Sequence, residues 1–187
     1  MSHPLTISKF EVHTYQWETH DLGPDDYYNG FNLVYKPGAT LTRTGRILQI
    51  HTDQGIVGEF AGGSASDYAQ MDMFAHYLIG RNPLQRELIF NDVKRGLRKV
   101  DKMSMGPVDI ALWDIAGKVH DAPVWELLGG WKKSLPAYAS TYHGDENGGL
   151  DTPEAFADFA EQCYEMGYHA FKIHGWSHAP IRREVDN

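Results

Sequence analysis

Hydrophobic and polar positions alternate along the first third of the chain in a way that predicts strands. Residues 6–17 alternate and are rich in β-forming side chains, so we expect a strand there. Residues 46–51 and 56–60 predict the two strands of a hairpin, joined by a short turn in which Gly55 supplies a positive φ. Between these strands the alternation is lost over residues 18–37, which predicts a long loop of the kind that is often functional.

The middle of the chain changes to a helical spacing. Two helices are expected over residues 67–79 and 84–99. The clearest helix begins at Gly106-Pro107 and carries an apolar stripe on one face. The stripe consists of Val108, Ala111, Leu112, Ile115, Ala116 and Val119. Strands followed by helices predict an α+β domain, which we expect to occupy residues 1–130.

A strand, a helix and a second strand are expected after this domain. Residues 135–141 predict a buried strand and residues 168–174 a second one. Thr152 and Gly167 are typical of the residues that begin and end a helix between them. A β-α-β unit implies a parallel sheet, and a (β/α)8 barrel is one way to continue it. Residues 131–187 would then be the incomplete start of a barrel domain.

Composition and charge narrow the classes of function. Of the 187 residues, 42% are hydrophobic and 22% charged, as in ordinary soluble globular proteins. The net charge is −8 and the basic residues are scattered, so nucleic acid is not an expected partner. A single cysteine, Cys163, excludes an internal disulfide and favours a cytoplasmic location. We expect neither a signal peptide nor a membrane partner, because no apolar run approaches the ~20 residues of a membrane helix.

Lys172 and His174 are the residues of the second predicted barrel strand that point to chemistry. Strand side chains alternate, so Phe171 and Ile173 share one face while Lys172 and His174 share the other. In a barrel the second face points into a packed interior, where an ammonium group is costly without a partner or a role. Catalytic residues of such barrels lie at the C-terminal ends of strands. The alternative is an edge strand whose polar face meets water, and the spacing alone does not decide.

Three segments resemble one enzyme family. Residues 106–118 read GPVDIALWDIAGK, and residues 123–130 read PVWELLGG. Together they look like the signature helix of the mandelate racemase/muconate lactonizing enzyme family in the enolase superfamily. Residues 52–59, TDQGIVGE, resemble the hairpin of that family's capping domain. Residues 167–174, GYHAFKIH, resemble its second-strand motif, which normally reads Lys-x-Lys. On these matches the sequence is identified as the N-terminal half of such an enzyme.

The resemblance implies an architecture and a chemistry. The architecture is an α+β capping domain followed by a modified (β/α)8 TIM barrel, of which this chain would hold only the first strands. The chemistry is Mg²⁺-dependent removal of the proton α to the carboxylate of a small substrate, through an enediolate. The family's three carboxylate metal ligands lie on the third, fourth and fifth barrel strands. We therefore expect them beyond Asn187 and assign no metal ligand in this chain; a homo-oligomer is also expected.

The resemblance also implies roles for the two strand residues. Lys172 matches the lysine that commonly contacts the substrate carboxylate. His174 stands where the family has its second lysine, usually the base on that face, and histidine can act as acid or base near neutrality. This change favours a lyase that dehydrates a hydroxy acid or sugar acid, with a racemase or epimerase as the alternative. Outside the family, Lys172 would suit a Schiff-base, aldolase-like barrel, or the chain would be an inactive fragment.

Five side chains are candidates for substrate binding. Residues 21–35 correspond to the family's specificity loop over the barrel mouth, and Tyr27, Tyr28 and Phe31 are its substrate-facing candidates. Tyr142 and His143 follow the first predicted barrel strand, near the expected mouth. For both, an exposed loop position without a role in binding is the alternative.

Overall fold

The computed structural model describes residues 4–25 and 32–174, and the chain divides into two compact units. The first unit comprises Met1–Gln16 and Thr44–Lys133, and the second comprises Trp17–Arg43 and Ser134–Asn187. The first two strands therefore contribute residues to both units. The domain boundary that the sequence places at residue 130 stays a prediction.

A three-stranded sheet is built from strands β1 (Ile7–Pro24), β2 (Leu33–Thr52) and β3 (Val57–Ala61), in that order. Strands β2 and β3 are antiparallel, with Ile47 opposite Ala61 and His51 opposite Val57. Gly55 has a φ of +80° in the turn between them, a conformation that glycine adopts without strain. The predicted hairpin is confirmed.

The long loop predicted over residues 18–37 is wrong at both ends, because β1 continues to Pro24 and β2 already begins at Leu33. Residues 26–31 lie outside the described residues. Polar contacts between the two strands replace the missing hydrophobic alternation. Thr19 Oγ1 donates a hydrogen bond to the carbonyl oxygen of Leu41 at 3.1 Å, and the Gly38 amide donates to Asp21 Oδ1 at 2.7 Å. Strand pairing by such polar groups leaves little trace in a hydrophobic pattern.

Five helices of the first unit follow the sheet. They are α1 (Ala65–Met71), α2 (Ala75–Leu78), α3 (Arg86–Gly96), α4 (Met105–His120) and α5 (Val124–Leu127). The predicted helices at residues 84–99 and from Gly106 onward are confirmed. The single helix predicted over residues 67–79 is wrong, because a turn separates α1 from α2. Phe74 lies in that turn, where it is only 6% exposed, so the break buries its ring in the core.

Helix α4 packs directly against strand β3. Its apolar stripe is buried as predicted except for Val119, which is partly buried, and Ala111 and Ile115 are fully inaccessible to solvent. Gly58 of β3 permits this approach, because a Cβ atom at that position would lie 2.1 Å from the Ala111 carbonyl oxygen. The core of the first unit is therefore formed between the sheet and α4, with α1 to α3 contributing further apolar side chains.

The second unit contains strands β4 (Ala139–Ser140) and β5 (Phe171–Lys172), which flank helix α6 (Pro153–Glu165). The two strands are parallel, with Ser140 opposite Lys172, so the predicted β-α-β unit is confirmed. Thr152 Oγ1 accepts a hydrogen bond from the Ala155 amide at 3.1 Å, which confirms the predicted start of the helix.

The buried strand predicted over residues 135–141 is wrong in length and burial. Strand β4 has two residues, and Leu135 is 74% exposed. A parallel strand becomes buried only when neighbouring strands and helices cover it on all sides. Among the described residues β4 pairs with β5 alone, so most of this segment stays accessible to solvent. None of the helices in the described ranges is both long and apolar enough to cross a membrane.

Candidate active site

The candidate site lies at the C-terminal ends of β4 and β5 in the second unit. Phe171 of β5 packs against Phe159 of α6, with the ring centroids 6.0 Å apart. Lys172 lies on the other side, where its Nζ is 5.8 Å from the ring centroid of Tyr138. His174 follows on the same side, with Nδ1 3.4 Å from Ser140 Oγ. Phe171 therefore faces helix α6, and Lys172 and His174 lie on the opposite face, as the alternation predicts. Ile173 shares the face of Phe171 in that prediction but is exposed.

Thr141 fixes the backbone of both candidate catalytic residues. It is 4% exposed, and its amide donates to the carbonyl oxygen of Lys172 at 3.0 Å. Its Oγ1 donates to the same carbonyl at 3.2 Å and accepts from the His174 amide at 2.6 Å. Sequence reasoning missed Thr141, because its partners are more than 30 residues away in the chain. The available signal was a hydroxyl side chain at the end of a segment predicted to be buried.

The hydrogen bonds of the His174 ring determine which nitrogen carries the proton. Nδ1 lies 3.2 Å from the carbonyl oxygen of Thr141, which can only accept. Ser140 Oγ donates its own proton to that carbonyl at 3.0 Å, so it too is an acceptor toward Nδ1. Nδ1 is therefore the protonated nitrogen, and in the neutral ring the lone pair is on Nε2. This tautomer leaves Nε2 available to accept a proton from a substrate.

Tyr142 and His143 extend the site as a row of rings. The centroids of His143 and His174 are 5.2 Å apart, and those of Tyr142 and His143 are 5.9 Å apart in an edge-on arrangement. Tyr142 is 46% exposed, whereas His143 is partly buried. The structure thus brings three of the predicted site residues together. Tyr27, Tyr28 and Phe31 lie outside the described residues.

The beginning of β2 is held against the segment that follows β4. The Tyr35 amide donates to the His143 carbonyl oxygen at 2.7 Å, and Asn147 Nδ2 donates to the Tyr35 carbonyl oxygen at 3.0 Å. Gly144 has a φ of +85°, and a Cβ atom there would lie 2.6 Å from the same Tyr35 oxygen. Only glycine fits this contact, so Tyr35 is positioned next to His143 by backbone interactions that no sequence motif indicates.

The charge at the site comes from Lys172. Its side chain is exposed, and no ion pair between described residues includes it. This ammonium group is consequently available to an anionic ligand such as a carboxylate. Within residues 4–25 and 32–174, no three His, Cys, Asp or Glu side chains are grouped closely enough to hold a metal ion. The described residues therefore do not fit a Mg²⁺ site.

The polar residues of the signature helix have structural contacts in the first unit. Asp114 Oδ2 accepts from the Glu59 amide at 2.9 Å and from Lys118 Nζ at 2.7 Å. Lys118 Nζ also donates to the Val57 carbonyl oxygen at 2.7 Å, which ties α4 to β3. Burial lowers the pKa of Lys118, but its contacts with Asp114 and Glu59 outweigh this and raise the pKa overall. These residues join the helix to the sheet.

Comparison with known proteins finds that the chain is similar to one family of enzymes. Residues 38–129 match the family model described as mandelate racemase/muconate lactonizing enzyme, N-terminal domain. D-galactarolactone cycloisomerase from Agrobacterium fabrum is 34% identical over 135 residues, which cover 68% of this chain and 35% of that protein. The chain thus spans about a third of the length of this curated relative.

Two solved structures show the same fold. D-glucarate dehydratase from Agrobacterium tumefaciens, complexed with magnesium, has a TM-score of 0.74 and 28% identity, covering 93% of this chain and 46% of that one. A dipeptide epimerase from Enterococcus faecalis, complexed with Mg and a dipeptide, has a TM-score of 0.66 and 21% identity. It covers 90% of this chain and 45% of that one, and at this identity the likeness concerns the fold alone. The chain spans about half of each structure.

Proposed function

Because this chain belongs to the mandelate racemase/muconate lactonizing enzyme family of the enolase superfamily and matches the N-terminal part of its members, we propose that it is part of a lyase that dehydrates a sugar acid. In this proposal the first unit belongs to the capping domain, and β4 and β5 begin the catalytic barrel. Two relatives named for derivatives of six-carbon sugar acids, the cycloisomerase and the dehydratase, support this substrate class.

The observation that carries the proposal is the tautomer of His174. With the proton on Nδ1 held by the Thr141 carbonyl, Nε2 is free to remove the proton on the carbon next to the substrate carboxylate. The electrons of that C–H bond move onto the carboxylate and give an enediolate. Lys172 supplies the positive charge that binds the carboxylate and offsets the negative charge growing on its oxygens.

Dehydration then follows with balanced atoms and charges. The enediolate electrons form a double bond to the neighbouring carbon, whose C–O bond breaks. The hydroxyl group leaves as water after taking the proton that His174 Nε2 had accepted. The resulting enol rearranges to a keto acid, and the imidazole returns to its starting tautomer.

Magnesium enters this proposal through residues outside the described ones. When bound, Mg²⁺ would neutralise the doubly negative intermediate that the family's chemistry forms. Because the described residues do not fit such a site, we place its ligands in the remainder of the barrel. The steps assigned here to Lys172 and His174 concern only this chain's own side chains.

An isomerase of the same family is the second candidate, because the relative at 34% identity is a cycloisomerase. The two reactions differ in what becomes of the α-proton. In D₂O a dehydratase yields a deuterated keto-deoxy acid, whereas an epimerase returns substrate that carries deuterium at the α-carbon. A cycloisomerase converts a lactone without net loss of water. Proton NMR of D-glucarate, galactarate and their lactones incubated with enzyme would distinguish these products.

The test of the site uses a polypeptide that continues through the complete barrel. His174→Gln should lower both the α-proton exchange and turnover by about 10²-fold or more, because it removes the proton acceptor. His169→Gln is the matched control, since His169 contacts Tyr164 of α6 at 5.7 Å between ring centroids. If His174→Gln exchanged the α-proton at the wild-type rate, His174 would not be the base and the proposal would fail.

A further inference from the structure

A cavity of about 600 Å³ lies between α2 and the end of α3 in the first unit, and none of its lining residues belongs to the candidate active site. Its lining includes the apolar side chains of Met73, Phe74 and Leu97, of which Met73 is 55% exposed. The lining also includes three basic residues, Arg81, Arg95 and Arg98. A pocket of this size with an apolar body and a few convergent polar groups is typical of small-molecule sites.

The charge around this cavity is unbalanced. Among the described residues, no ion pair involves any of the three arginines. Asp92 is the one acidic residue in the lining, and its carboxylate accepts a hydrogen bond from the Tyr77 hydroxyl. The expectation from composition that basic residues are scattered is thus wrong here. Three arginines line one cavity in a chain whose net charge is −8.

Stabilisation of helix α3 explains only part of this arrangement. Arg95 lies in the last turn, where a cation favours the helix end, and Arg98 Nη1 donates to the Arg95 carbonyl oxygen at 3.3 Å. Arg81 belongs to a different segment, the turn after α2. Its guanidinium stacks on the Tyr77 ring at 3.9 Å, and Nε donates to the Tyr77 carbonyl oxygen at 3.4 Å. Stacking holds this group in place while leaving its terminal nitrogens free to bind a ligand.

We propose that this cavity binds an amphipathic organic anion, a carboxylate or phosphate ester with an apolar body. The body would lie against Met73 and the edges of Phe74 and Leu97, and the anionic group would accept hydrogen bonds from Arg81 and Arg95. Guanidinium groups suit this task because their paired N–H donors match the two oxygens of a carboxylate or phosphate. The site shares no residue with the proposed catalytic residues, and the proposal does not depend on their function.

Phenyl phosphate, which combines an aromatic body with a phosphate, is the probe for this site. Titration into the ¹⁵N-labelled chain should give saturable shifts of the Gly96 and Leu97 amides. Arg81→Gln and Arg95→Gln should each weaken the affinity about tenfold or more, since each removes a charge-assisted hydrogen bond. Lys94→Gln is the matched control. It removes one positive charge from helix α3, as Arg95→Gln does, but the Lys94 side chain lies over Phe90 and does not line the cavity. Inorganic phosphate and phenol should both bind more weakly than phenyl phosphate.

Three results would overturn the proposal. Equal weakening by Lys94→Gln would mean that general electrostatic attraction is responsible. Inorganic phosphate binding as tightly as phenyl phosphate would remove the role of the apolar surface. Saturable shifts confined to other parts of the chain would place the ligand elsewhere. Because Arg95 is exposed, Arg95→Gln should retain the fold even if Arg81→Gln does not, and an unchanged amide spectrum away from the cavity verifies this.

Discussion

Thr141 Oγ1 accepts a hydrogen bond from the backbone amide of His174 at 2.6 Å, across the end of the parallel strand pair. The carbonyl oxygen of the same threonine accepts from the His174 ring at 3.2 Å. One buried residue directly after β4 therefore sets both the position of the proposed base and the nitrogen that carries its proton. This relationship makes Thr141 a positioning residue whose effect is measurable without substrate.

Thr141→Val tests this relationship. The substitution leaves the His174 amide without its acceptor, which costs roughly 1–3 kcal/mol for a buried group, and should displace the ring from the Thr141 carbonyl. The ¹⁵N shifts of the His174 ring should change from a pure Nδ1–H tautomer to a mixture. Thr141→Ser keeps the hydroxyl and should retain the wild-type spectrum. Identical ring shifts in the valine variant and the wild type would show that Thr141 does not control the tautomer.

Lys172→Ala should weaken substrate binding and turnover together in a polypeptide with the complete barrel. The ammonium would contact the substrate carboxylate in both the ground state and the transition state, so KM should rise while kcat falls. Loss of a charge-assisted hydrogen bond predicts a decrease in kcat/KM of about tenfold to a hundredfold. Lys132→Ala is the control, because Lys132 also lies over an aromatic ring, that of Trp131. A change confined to kcat would contradict a role in binding.

The hydrophobic pattern predicted those parts of the fold that depend on local periodicity. The stripe on α4 and the hairpin around Gly55 follow from residues close in sequence. The extended ends of β1 and β2 do not, because contacts such as Asp21 with Gly38 use polar groups that resemble loop residues. Lys172 and His174 are proposed from their spacing and family resemblance, whereas the role of Thr141 depends on folding. Only the parallel pairing of β4 with β5 brings it to residues more than 30 positions away.

Asp109 of helix α4 should make stability depend on pH. Burial raises the pKa of its carboxyl above the ordinary value of 3.8, although Arg86 partly offsets the shift. Below the pKa that the carboxyl has in the unfolded protein, it is protonated in both the folded and the unfolded state, so the shift has no effect on stability. As pH rises from that value through the higher pKa of the folded protein, the free energy of unfolding falls. Asp109→Asn should therefore raise the melting temperature relative to wild type at pH 7 but not at pH 3.

Calorimetric unfolding across this pH range checks the prediction for Asp109. Asp158→Asn, at an exposed position on α6, is the control for the loss of one acidic side chain. A stabilisation by Asp109→Asn that is equally large at pH 3 would have to come from packing. It would contradict the assignment to the buried carboxylate.

Magnesium should bind the 187-residue chain only weakly. With no cluster of ligands in the described residues, we expect isothermal titration calorimetry to show the diffuse, low-affinity binding of an acidic surface. A polypeptide with the complete barrel should lose activity in a chelator and regain it with Mg²⁺. Tight, stoichiometric binding by residues 1–187 would show that the ligands lie in this chain after all.

Gly58→Ala should destabilise the first unit far more than an alanine placed in open space. The new Cβ would lie 2.1 Å from the Ala111 carbonyl oxygen and 2.6 Å from Ile115 Cγ1, so β3 and α4 would have to separate. Overpacking of this kind costs about 1–3 kcal/mol, or more where the neighbour is backbone.

Gly106→Ala is the matched control, because Gly106 is helical and nothing lies within 4 Å of its added Cβ. Alanine there should stabilise α4 by roughly 0.5–1 kcal/mol. Opposite shifts of the two urea midpoints would confirm that contact between β3 and α4 holds the first unit together, and equal midpoints would contradict it.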